Sequence, residues 1–174
     1  MDIALALGGA GILIWAVVIY NRLIRDKHRV AAAWSDIDVQ LKRRHDLIPK
    51  LIDAVKQYAA FEEATLATLT ALRGDSEVAS DIDKVSTIES KLAGSLLSIV
   101  AIAEDYPELK ANESFIDLQQ NLTDVEEHIQ LARRFYNGAV LNLNVRIETF
   151  PDVFVARALG FTAAQLFRYH EGST

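Results

Sequence analysis

Histidine is the side chain best suited to move a proton near neutral pH, and this chain has four: His28, His45, His128 and His170. Metal-binding helical bundles use inward-facing Glu-x-x-His pairs. Here the residues three before each histidine are Arg25, Lys42, Val125 and Phe167, so that pattern is absent. No His-Glu-x-x-His run, Gly-rich phosphate loop with lysine, or Gly-x-Ser-x-Gly elbow occurs. There is no cysteine, which removes disulfides, thiolate metal sites and a cysteine nucleophile. His45 adjoins Asp46, but with no partnered nucleophile the pair reads as helix surface rather than a general base. These residues point away from an enzyme and imply no cofactor or metal.

Charge placement says more. The chain has 18 basic and 24 acidic side chains in 174 residues, a net charge of −6 that argues against a nucleic-acid binder. Residues 1–21 carry only Asp2. Residues 22–51 carry eight basic against four acidic side chains, and residues 52–174 ten against nineteen. The basic collar opens with Arg22, Arg25, Lys27 and Arg29, opposed by a lone Asp26. Between residues 104 and 127, eight carboxylates, among them Glu104, Asp105, Glu108, Glu113 and Asp117, face only Lys110. That stretch reads as a solvated surface, or as a patch for a basic protein partner. It lacks the oxygen-rich loop a calcium site needs. The glycosylation-like triplets beginning at Asn112 and Asn121 fit helix caps and helix surface better than sugar acceptors.

These charges sit on elements that the apolar pattern defines. Residues 3–20, IALALGGAGILIWAVVIY, are uncharged. As a helix they would span about 27 Å, near the thickness of a bilayer's hydrocarbon layer. A cleaved signal peptide wants a basic start and a small-residue cleavage site, whereas this run follows Met-Asp and ends in bulky residues. Residues 1–21 therefore read as a transmembrane anchor, with Trp15 and Tyr20 suited to the interface. The collar then places the body, residues 22–174, in the cytoplasm and the N-terminus outside. It also offers cations to anionic lipid head groups. Gly8, Gly9 and Gly11 with Ala4, Ala6 and Ala10 permit close helix approach in lipid.

The body reads as all-α: an antiparallel bundle of three long helices and a shorter C-terminal one. Val30, Trp34, Ile37, Leu41, Ile48, Leu51, Val55 and Tyr58 form one stripe, interrupted by Arg44. Pro49 should bend that helix without necessarily ending it, and Gly74 is expected to stop it as a left-handed cap. A second helix should start at Ser80 with Asp83 in its first turn, carry Val85, Ile88, Leu92, Leu96, Ile99 and Ile102, and end near Pro107. The third should be capped by Asn112 or Ser114. Its apolar residues step by three and four from Phe115 to Phe150, and Pro151 ends it. Val153–Tyr169 is expected to form the fourth helix, broken at Gly160. A heptad this long also suits packing on a neighbouring subunit.

Four segments carry a family resemblance: Arg43-Arg44-His45-Asp46-Leu47-Ile48-Pro49, Tyr106-Pro107-Glu108-Leu109-Lys110, Ala132-Arg133-Arg134-Phe135-Tyr136-Asn137 and Phe150-Pro151. In order and spacing they resemble the LemA family over nearly the whole chain. The resemblance implies a bacterial protein, anchored at its N-terminus and largely helical beyond it. One branch of that family is associated with magnetosome membrane formation. The sequence departs from the family at Phe61, where histidine is usual, and at Leu143, where tyrosine is usual.

Two residue-level expectations follow. Arg44 on an apolar stripe must be paired, and Asp124, Glu126 or Glu127 of the third helix should meet Arg43 or Arg44. Asn137 and Asn144, seven apart on one face, should hydrogen-bond across the core. In function, the pattern fits a single-pass scaffold at the bacterial inner membrane that self-assembles or recruits a partner. A membrane-tethered regulatory adaptor or ligand-sensing module is the alternative.

Overall fold

A computed structural model describes residues 2–59 and 62–168, with only the backbone described at residues 3–6. Six helices and no strand are found among the described residues. They are α1 (Asp2–Lys56), α2 (Glu63–Val78), α3 (Ile82–Glu104), α4 (Pro107–Lys110), α5 (Glu113–Glu148) and α6 (Asp152–Ala158). The anchor–body boundary expected after residue 21 falls inside α1, which continues without a break. Pro49 also lies inside α1. Its missing N–H leaves the carbonyl of His45 without the usual helical donor, yet the helix runs on to Lys56 because its apolar stripe stays buried through Ile48, Leu51, Ile52 and Val55.

The expected stop at Gly74 is not there. α1 ends at Lys56 with a turn at residues 57–58, and Gly74 is an interior residue of α2, which begins at Glu63. Glycine tolerates helical angles at a cost of about 1 kcal/mol, and the Arg73–Glu77 ion pair at 2.9 Å spans the site. The real turn has no sequence breaker; tertiary contacts make it. Ala59 is buried, its N–H and that of Tyr58 both bond the carbonyl of Val55, and the Tyr58 hydroxyl accepts from Asn112. The first expected helix is thus two, and with the short α4 the described residues hold two more helices than the four the pattern suggested for the body. Phe61 lies outside the described residues.

Other boundaries differ by small steps. Asp81, not Ser80, caps α3, accepting from the N–H groups of Asp83 and Lys84. α3 ends at Glu104, before the short α4 with Pro107 at its first position, the one helix site where proline loses nothing. Asn112 caps α5, accepting from Phe115 N–H at 3.1 Å. The expected fourth helix ends at Ala158. Gly160 takes φ +71°, and residues 161–168 are extended rather than helical. Tyr169 and His170 lie outside the described residues.

The chain divides into two compact units, Met1–Ser35 with Arg134–Leu166 and Asp36–Arg133 with Phe167–Thr174. In the first, Ile19 and Leu23 of α1 share a core with Leu143 and Ile147 of α5 and Val155 and Ala156 of α6. Leu143, one of the two departures from the family pattern, is a buried packing residue there. α1 and α5 run antiparallel in this unit, since Trp34 meets Tyr136 edge-on at 5.6 Å and Asp26 meets Arg146. In the second, Ile48, Leu51, Leu66, Leu69, Leu92, Ile99, Leu109 and Phe115 bring together faces of α1 to α5.

The extended C-terminal segment of the first unit is fastened by side chains. Asn144 donates to the carbonyl of Ala164 at 2.9 Å and accepts its N–H at 2.8 Å, while Tyr136 donates to the carbonyl of Gln165. Asn144 thus fixes backbone on a non-helical strap, which has no ladder of its own. Asn144→Ala is expected to release the strap. Limited proteolysis should cut within residues 161–168 several times faster, with helical content unchanged by circular dichroism; equal cutting rates would refute the clamp.

Candidate functional site

The α1 stripe that buries Ile37, Leu41 and Ile48 also carries Arg44 inward, leaving it 1% exposed. Its guanidinium bonds Glu89 of α3, which is 0% exposed, and Glu126 of α5 at 2.7 Å. Glu89 also meets His45 Nε2 at 2.8 Å and accepts from the Ser76 hydroxyl of α2. Three helices therefore meet at the Glu89 carboxylate, and Arg44 links a fourth, α5, through Glu126. Outside this cluster, Arg43 bonds Asp124 at 3.2 Å on the surface.

The expected pairing of Arg43 and Arg44 with α5 carboxylates is thus found for Asp124 and Glu126. Two members were not foreseen. His45 is buried and faces Glu89, which corrects its reading as helix surface beside Asp46; Asp46 itself is exposed. Glu89 occupies a core position of α3, where Val85, Glu89 and Leu92 step by four and three, so the buried face is rotated from Ile88 onto Glu89. The available signal was a charge interrupting an apolar stripe, the same signal that singled out Arg44.

Burial alone would raise the Glu89 carboxyl pKa. The hydrogen bond from His45, the Arg44 charge and the Ser76 hydroxyl outweigh burial and hold it below its ordinary value. Glu89 is therefore an ionised acceptor at neutral pH, held by donors from Arg44, His45 and Ser76. No group of three or more His, Asp or Glu side chains suited to a metal occurs among the described residues.

A groove of about 990 Å³ opens beside this cluster between α3 and α5, with Leu96, Leu97 and Val100 on one wall and Arg44 and Glu126 at its base. The acidic residues Glu104, Asp105, Glu108, Glu113 and Asp117 are all exposed on the same unit. Of the other motif residues there, Pro49 and Tyr106 are half-buried, Pro107 is exposed and Arg133 is half-buried.

The first unit holds the membrane-directed features. Arg22, Arg25, Lys27 and Arg29 are exposed along α1. Asp26 does not oppose them freely: it is buried and receives Arg146 Nε at 2.6 Å, and Arg146 also reaches Asp152 at 3.2 Å. Tyr136 is buried, Asn137 half-buried, Phe150 exposed and Pro151 half-buried after a cis bond. α1 from residue 7 and α3 are both long and apolar enough to cross a membrane. α3 buries one face in the second unit around ionised Glu89, as a core helix does. Leu7, Ile12, Leu13 and Ile14 of α1 are each more than half exposed.

Comparison with known proteins agrees with this reading. Residues 33–174 match the LemA family. Protein LemA of Metamycoplasma hominis is 31% identical over 157 residues, covering 87% of this chain and 69% of that protein. Magnetosome protein MamQ of Magnetospirillum gryphiswaldense is 24% identical across 85% of this chain, and magnetosome protein MamQ 2 of Paramagnetospirillum magneticum 21% across 86%. The chain spans 64% of each magnetosome protein's length.

Removing one partner of a buried ion pair costs about 3–5 kcal/mol, whereas an exposed pair contributes about 0–1 kcal/mol. Arg44→Ala and Glu89→Ala are expected to fall in the first range and Asp124→Ala in the second, read from urea unfolding of the detergent-solubilised chain. Because folding lowers the Glu89 pKa, its stabilisation is complete above its ordinary value of 4.5 and is lost as pH falls through the lowered value. Glu89→Gln should be less stable than wild type at pH 7 and should lose less stability on acidification below about pH 4.5. Parallel pH curves for the two proteins would contradict this.

Proposed function

The chain belongs to the LemA family, and on that footing we propose that it is a single-pass protein of the bacterial inner membrane. Its helical body acts as a scaffold, assembling with further copies or holding a protein partner at the membrane surface. One observation carries the reading. α1 is a single helix whose first apolar turns are exposed and whose later turns are core, so one element serves lipid and protein in succession. The exposed Arg22, Arg25, Lys27 and Arg29 favour a cytoplasmic body. α5 supports assembly, because Phe135, Leu141 and Val145 are each more than half exposed and a second copy would remove them from water.

A second reading, a membrane-tethered adaptor or ligand-sensing module, is favoured by the groove between α3 and α5 and the exposed acidic residues beside it. It needs a body that stays monomeric or dimeric with a saturable partner.

Two measurements test the proposal. Alkaline carbonate should leave the full-length protein in the membrane fraction; its release would end the anchor reading. Light scattering in detergent should give a mass of several copies, reduced toward one copy by Phe135→Glu with Val145→Glu. A wild-type protein that stays monomeric at high concentration would overturn assembly and leave the adaptor.

A further inference from the structure

Burial along α1 begins abruptly. Leu13, Ile14, Val17 and Val18 are exposed, whereas Ile19 and Leu23 are covered by Leu143 and Ile147 of α5 and Val155 and Ala156 of α6. Tyr20 adds an edge-on contact with Phe161, ring centroids 6.3 Å apart. Ile19 and Tyr20 are the last residues of the uncharged run. The protein that covers them therefore lies beside the inner end of the anchor.

The antiparallel register fixes which part of α5 arrives there. Trp34 meets Tyr136 and Asp26 meets Arg146, so each step forward along α5 is a step back along α1. Continuing that register brings Phe150 level with the turn around Tyr20. Spanning about 30 Å of hydrocarbon at 1.5 Å per residue takes about 20 residues, so a helix that starts at residue 3 leaves the hydrocarbon near residue 23.

What projects from that end is apolar. Phe150 is 74% exposed and Phe154 63%, stacked edge-on at 5.9 Å, with Leu159 also exposed. None of the three is needed by the core beneath them. The nearby charges divide by role: Arg146 and Arg29 balance Asp26 and Asp152 within the unit, while Arg22, Arg25 and Arg157 stay exposed against a single exposed Glu148. Outward aromatic residues rimmed by net positive charge are the makeup of a surface that enters an anionic lipid interface.

We infer that the α5–α6 turn, residues 148–161, is a second membrane contact, inserting Phe150, Phe154 and Leu159 among lipid head groups beside the anchor. It rests on the anchor reading above. The contact holds the first unit against the bilayer at two points, so α1 cannot rotate freely about its own axis.

The absence of cysteine allows a direct test with single labels on the full-length chain in phosphatidylglycerol/phosphatidylcholine vesicles. An environment-sensitive fluorophore is placed at Phe150→Cys, Phe154→Cys, Val18→Cys or Phe135→Cys, the last about 20 Å back along α5. Lipids spin-labelled near the head group should quench the labels at 150, 154 and 18, while aqueous iodide should quench only that at 135. A label at Leu159→Cys should lose its lipid quenching when Phe150→Gln and Phe154→Gln are combined, which separates the pull of these rings from that of the dye. Iodide quenching at 150 and 154 with lipid quenching at 18 would overturn the inference and leave the anchor standing. Iodide quenching at 18 would remove both.

Discussion

A guanidinium sealed from water is tolerable only where carboxylates meet it in fixed geometry, and the second unit is organised around that requirement. Desolvating Arg44 and Glu89 costs several kcal/mol each, so any packing that separates them is heavily disfavoured. Arg44 comes from α1, Glu89 from α3, Glu126 from α5 and Ser76 from α2. Apolar stripes alone would let these helices slide by a turn and still bury leucine on leucine. The ionic cluster admits one register. That is a gain in specificity, and mutational precedents give no reason to count such a pair as a gain in net stability.

The same arrangement gives the titratable groups of this cluster a packing role. A general base needs an open lone pair and a pKa near the working pH. Glu89 is held ionised by His45, Arg44 and Ser76, its pKa below the ordinary carboxylate value. The groove presents Arg44 and Glu126 already bonded to each other.

Much of this was legible in the residues. The α1 stripe, the three-and-four stepping of α5 and the demand for carboxylates opposite Arg44 all follow from periodicity and the cost of burying charge, and each recurs in the structure. What escaped was decided by contacts remote in sequence. Residues 57–62 contain neither proline nor glycine, and α1 gives way to a turn at residues 57–58, where Tyr58 meets Asn112 and Ala59 joins the core. Gly74 looked like a stop and is not, since nothing beside it requires a positive φ. His45 read as surface because no partnered nucleophile was evident beside it; its partner is Glu89, 44 residues on in α3. Stripes predict which face is buried to within one residue, and one residue is the difference between Ile88 and Glu89.

The first unit faces a different physical problem, which its own ion cluster answers. As the proposed anchor, α1 would leave lipid and join a protein core within about one turn, at Ile19 to Leu23. Asp26 follows directly, buried and held by Arg146, which also holds Asp152 at the start of α6. These bonds tie the helix emerging from the apolar run to both other elements of its unit. A carboxylate at this depth without Arg146 would oppose insertion. Asp26 also pairs with Arg29 at 3.6 Å, which leaves Arg22, Arg25 and Lys27 as the exposed cations that the proposed anchor would set at the head groups. The pairing of Asp26 thus couples the fold of this unit to the charge the protein shows the membrane.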